Sequence, residues 1–151
     1  MSQKSTATVV IDAPLADVQA ALFSIENYPD WSSSIKKVDV IERDSDNRVT
    51  KAKLTIDAGM MKDRVVLDYD WSSAPATLTF SMDEADLLTQ MDGAYSLKSI
   101  DADSTQVTYE LEVAVSMPVP AMMITKAQQQ TIEAALKELG EHLSEWVTQL
   151  E

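Results

Sequence analysis

Between residues 35 and 116 apolar and polar residues alternate through six successive stretches: "IKKVDVIE", "VTKAKLTIDA", "RVVLDYDW", "ATLTFSM", "LTQMDGAYSL" and "TQVTYELEVAV". Turn-forming clusters separate them, so the pattern reads as consecutive antiparallel strands. Residues two apart share a face of a strand. One face therefore carries Ala52, Leu54, Ile56 and Ala58, then Val65, Leu67, Tyr69 and Trp71, then Leu78, Phe80 and Met82. Met91, Gly93, Tyr95 and Leu97 continue it, followed by Val107, Tyr109, Leu111, Val113 and Val115. A further short strand, "ATVVID", precedes these six. After Pro118 and Pro120 the period becomes helical for about 30 residues, or about 45 Å at the rise of an α-helix. Ile132, Ala135, Leu136, Leu139, Leu143, Trp146, Val147 and Leu150 form its apolar stripe. A sheet with one apolar face and one long amphipathic helix bury both surfaces when the sheet curls around the helix. The expected class is α+β.

Between the first strand and the six, Val18, Ala21, Leu22 and Ile25 recur at helical spacing behind Pro14, which suits the first position of a helix. That helix must stop by Tyr28, because the residue before Pro29 is pushed out of the α region. In the stretch "IENYPDW" Tyr28 and Trp31 are expected to anchor the turn into the next strand, with Pro29 fixing its direction; contact with a ligand is the alternative role. Gly140 interrupts the flank of the last helix and is expected to pack closely on the sheet, since glycine there costs about 1 kcal/mol against alanine.

With 151 residues and no linker, repeat or low-complexity tract, residues 1–151 are expected to form a single domain. The net charge of −13 disfavours nucleic acid and anionic lipid headgroups as partners. Cysteine is absent, so there is no disulfide, thiolate nucleophile or cysteine metal site. The only histidine, His142, stands among Glu138, Glu141 and Glu145 at the edge of the helix stripe and cannot form a His-rich metal centre. No metal and no cofactor is expected. No run reaches the roughly 18 apolar residues of a membrane span, and "MSQKSTATVV" lacks a leader pattern, so a cytoplasmic chain, monomeric and without stable membrane insertion, is expected.

The stretches "VVIDAPLADVQAALFSIENYPDW", "MDGAYSL", "STQVTYELEV" and "PVPAMM" leading into the long terminal helix resemble the START-like superfamily. The similarity is to its bacterial polyketide cyclase/dehydrase and lipid-transport proteins. That resemblance implies a helix-grip fold: a seven-stranded antiparallel sheet, two short helices after strand 1, and a C-terminal helix over a hydrophobic cavity. It also implies binding of lipids, quinones or polyketides, with catalysis only in some members.

The inward rows supply the candidate ligand contacts Leu67, Tyr69, Phe80, Met82, Met91, Tyr95 and Tyr109. Extending the helix stripe backward lands on Thr125, Gln128 and Gln129, polar groups that need water, a ligand, each other or solvent. Parity of the meander brings the loops "AGMMKD", "DEAD" and "SMPVPAMM" to one end, so Met60, Met61, Met117 and Met122, with Met82, are expected near a cavity mouth. Trp71 belongs near the opposite end, as cavity floor or core. No catalytic residue can be assigned. Arg64 follows the outward parity, whereas a cyclase needs an acid, base or oxyanion donor inside the cavity. The expected function is binding of a hydrophobic small molecule as carrier or sensor. An aromatase/cyclase and an interaction module with a collapsed cavity are the alternatives.

Overall fold

The computed structural model describes residues 4–57, 62–73, 76–116 and 118–150, with side chains in the last helix as far as Leu143. Strand β1 (Ser5–Ile11) leads to Pro14, which with its extended backbone is the cap and not the first residue of helix α1 (Leu15–Phe23), its carbonyl accepting from Asp17 and Val18 N–H at 3.0 and 3.2 Å. A 3-10 helix (Ile25–Asp30) then carries Tyr28 and Pro29, giving the two short helices. Six strands follow: β2 (Ile35–Arg43), β3 (Val49–Asp57), β4 (Lys62–Asp70), β5 (Thr77–Ala85), β6 (Leu88–Asp101) and β7 (Ser104–Val115). Helix α2 (Ala121–Leu150) closes the chain.

All seven strands form one antiparallel sheet in the order β1-β7-β6-β5-β4-β3-β2. Chain neighbours pair throughout the meander, while β1 pairs with β7 at the far edge. The α1 and 3-10 segment makes the long return to β2. The cross-strand partners Leu67 with Met82, Tyr69 with Phe80, Phe80 with Gly93, and Tyr95 with Tyr109 hold the apolar row in register. Val18, Leu22 and Ile25 from the first connection, and Ile132, Leu136, Leu139 and Leu143 from α2, complete the core. Alternation of the antiparallel strands brings the 86–87 turn and the start of α2 to the end where β3 stops and β4 begins.

Asp63 lies on the inward side of β4 and is buried. Its carboxylate accepts backbone N–H bonds from Arg64, Asp86, Leu87 and Leu88 at 2.8–3.2 Å, which ties the 86–88 turn to the start of β4. Trp71 is core at the other end, its ring edge-on to Phe23 and its N–H donating to the Val49 carbonyl at 2.7 Å.

The close packing expected at Gly140 is absent: a methyl group there would meet no atom within 4 Å. Gly140 instead flanks a shallow groove between β1 and α2. Gly140→Ala should therefore stabilise the protein by about 0.5–1 kcal/mol through helix propensity alone, seen as a higher urea midpoint at unchanged m.

Candidate functional site

A hollow lies between the concave face of the sheet, the 3-10 helix and the middle of α2. Its floor is aromatic. Tyr95 stacks on Tyr109 with ring centroids 4.1 Å apart, Phe80 lies tilted against Tyr109 at 6.5 Å, and Tyr69 meets Phe80 at 5.9 Å. Leu54, Ile56, Leu67 and Met91 continue the floor from β3, β4 and β6. Tyr28, Trp31, Ser32, Ser34 and Ile35 form the wall toward β2, and Thr131 and Ala135 form the roof from α2.

Glycine at position 93 makes the floor possible. A Cβ there would come 2.4 Å from the Phe80 ring and 2.8 Å from the Glu110 carbonyl, so no other residue lets that ring lie where it does. Tyr28 is fastened by its hydroxyl to the Leu22 carbonyl, and its ring meets Trp31 edge-on at 5.3 Å.

The lining contains hydroxyls but, among the described residues, no carboxylate, ammonium, guanidinium or imidazole. Arg64 points outward and pairs with Asp86 on the surface. Burial pushes the phenols of Tyr28, Tyr69 and Tyr95 well above the usual tyrosine range and that of Tyr109 up to about 12. The neighbouring Tyr109 phenol adds to the effect at Tyr95. At neutral pH these groups donate and accept hydrogen bonds but supply no base.

Those shifts have a measurable consequence. A phenol whose folded pKa is raised holds its proton more tightly in the folded state, so its contribution to stability is complete below about pH 10 and is lost as pH rises toward the folded value. The chain has 4 tyrosines and all of them are buried. Phenolate absorbance should stay flat through pH 10 and appear only with unfolding, while stability declines above about pH 10.

Six of the expected ligand contacts meet around this hollow: Leu67, Tyr69, Phe80, Met91, Tyr95 and Tyr109. Met82 packs half-buried against the core beside them, outside the lining. The helix contacts fall elsewhere. Thr125 is exposed, and Gln129 donates to Glu133 along the helix at 3.2 Å. Gln128 is buried, but its carbonyl accepts from Val113 N–H at 2.7 Å and its amide donates to Ser5 Oγ at 2.9 Å. Past the Ser5–Leu111 pair, Gln128 thus completes the edge of β7 in place of a strand partner. Helix α2 lies along β1 and β7, so its stripe reaches the hollow through Thr131 and Ala135. Of the expected mouth residues, Met60, Met61 and Met117 lie outside the described residues. Met122 is 82% exposed at the start of α2, away from the lining.

Ser32, Ser34, Ile35, Leu54, Ile56, Thr131 and Ala135 were not among the expected contacts. Parity already set Leu54 and Ile56 on the apolar face; Thr131 could have been found one turn before Ala135.

The hollow is narrow. It has about 600 Å3 of atom-free space, open mouth included, of which about 50 Å3 can hold the centre of a water-sized sphere. That suits a few waters, since one needs roughly 10–15 Å3 by this measure.

Among the described residues no set of three or more His, Cys, Asp or Glu side chains is arranged to hold a metal ion. No helix there is long and apolar enough to cross a membrane.

The family described as "Polyketide cyclase / dehydrase and lipid transport" matches residues 11–139. The fold is shared with a START superfamily protein from Mycobacterium smegmatis at a TM-score of 0.89 and 22% identity, over 95% of this chain and 98% of that one. The Zhui aromatase/cyclase from Streptomyces sp. R1128 superposes with a TM-score of 0.79 at 17% identity, over 97% and 96% of the two chains. A conserved protein from Geobacillus kaustophilus does so with a TM-score of 0.79 at 13% identity, over 95% and 96%. At these identities the likeness is one of fold. The sequence matches none of the curated proteins compared with it.

Proposed function

The chain belongs to the polyketide cyclase/dehydrase and lipid transport family, and on that premise we propose that it binds a hydrophobic small molecule between its sheet and α2, as a carrier or sensor. The ligand class is a lipid, quinone or polyketide-like molecule. One observation carries the reading: the lining joins an aromatic floor to a few hydroxyls and, among the described residues, has no charged or imidazole side chain. Such a surface rewards burial of apolar area and orients a ligand through one or two neutral hydrogen bonds. It offers nothing to take a proton from a poly-β-keto chain at neutral pH, because the phenols are held protonated.

A second reading, an aromatase/cyclase, is favoured by the likeness to the Streptomyces protein of that description and by the tyrosine hydroxyls facing the hollow. In it the Tyr95 and Tyr109 pair would donate to a developing oxyanion. The two readings part on a direct test: native mass spectrometry of the protein from its own host, with extraction of what co-purifies. The carrier reading expects a hydrophobic adduct recovered chemically unchanged after incubation. A clean unliganded mass, with no thermal shift from lipids, quinones or polyphenols, would contradict it, and turnover of an added poly-β-keto substrate would favour the second.

A further inference from the structure

A cleft of about 240 Å3, open to solvent with Ala20, Asn27 and Asp30 exposed along it, lies between α1, the 3-10 helix and α2, and Trp31 lines both it and the first hollow. Neither is large enough alone for a guest of the proposed kind. Together, with the space the indole occupies, they approach the roughly 300 Å3 at which ligand pockets begin. The indole is also the least fastened wall. Trp71 spends its N–H on the Val49 carbonyl and Tyr28 its hydroxyl on Leu22, whereas Trp31 Nε1 is buried without a partner. Among the described residues the only other buried side-chain polar atom in that state is Glu138 Oε1. Glu138 belongs to the same junction, because its other carboxylate oxygen accepts from Ser33 N–H at 3.0 Å, two residues beyond Trp31. Packing against the core and two ring contacts hold the indole: the Tyr28 edge and His142 of α2, stacked at 6.4 Å.

We propose that Trp31 is a movable partition whose displacement joins the hollow and the cleft into one ligand chamber; this rests on the binding reading above. The joined chamber has an aromatic end at Tyr95 and Tyr109 and a polar end at Asp17, Asn27 and Asp30. It takes an amphiphile whose polar end is neutral or cationic, since a carboxylate would face two aspartates. A closed partition lowers apparent affinity by the fraction of time the chamber is joined.

The test uses the whole protein labelled with 5-fluorotryptophan, the Trp31→Phe variant assigning the resonance, and the neutral fluorophore N-phenyl-1-naphthylamine as probe. The Trp31 fluorine signal should shift on binding while that of Trp71 stays, and Trp31→Ala should bind the probe about tenfold more tightly. Probe binding with a motionless Trp31 signal, or with Trp31→Ala no tighter than wild type, overturns the partition and leaves the binding reading intact. Failure of wild type and Trp31→Ala alike to bind overturns both. For the polar end, octylamine and octanol should displace the probe and octanoate should not, until Asp17 and Asp30 are both changed to Asn. Equal displacement by octanoate in the wild type would overturn the polar assignment.

Discussion

Asp63→Ala should lower the unfolding free energy by about 3 kcal/mol, a drop in Tm of roughly 10 °C for a chain of this size. The carboxylate is buried and takes N–H bonds from four backbone donors, three of them in the 86–88 turn. Charge-assisted bonds of this kind contribute more than neutral ones, and alanine removes the acceptor of the buried Leu88 N–H, while Asp86 N–H keeps the Arg64 carbonyl at 3.3 Å. Asp63→Asn keeps the shape and one acceptor oxygen, so it should fall between alanine and wild type. Thermal melts of the three proteins check the order. A Tm for alanine within 2 °C of wild type would mean, by the same scaling, that the turn finds other partners.

Ala135→Leu should abolish binding of a hydrophobic probe while leaving the fold intact. Ala135 projects from α2 into the roof of the aromatic hollow, and leucine carries three more carbon atoms into a space of about 50 Å3. Leucine is close to alanine in helix propensity, so the backbone has no reason to change. Filling a void gains contacts up to the point of overpacking, and the net effect on stability should stay within about 1 kcal/mol. Affinity for N-phenyl-1-naphthylamine should fall at least about tenfold, or 1.4 kcal/mol. Unchanged affinity with unchanged stability would mean that the probe binds somewhere other than under α2.

The sheet could be read from the chain because a period of two leaves few choices once a face is apolar. The same parity brought Leu67, Tyr69, Phe80, Met91, Tyr95 and Tyr109 to one wall. The helix side was less legible. Gln128 sits on the buried stripe, but its partner was decided by where β1 stops pairing with β7, which no local pattern reports. Asp63 left a usable trace: parity from Val65 runs back to an acid on the buried face, and a buried acid must have donors. The width of the hollow depends on side-chain rotamers and on how α2 lies across the sheet, and neither is written in a hydrophobic pattern. Gly140 was misread because a glycine on a helix flank looks the same whether it meets a strand or open space.

Met91 is the one methionine among the described lining residues, whereas Met122 and Met123 are exposed on α2. With the protein labelled at methionine methyl carbons and Met91→Leu assigning the signal, intermolecular NOEs to bound N-phenyl-1-naphthylamine report directly where a hydrophobic guest lies. NOEs from the probe to the Met91 methyl and to the Tyr95 and Tyr109 rings are the predicted result. NOEs confined to Met122 and Met123, with Met91 silent, would mean that the hollow under α2 is not where this protein binds.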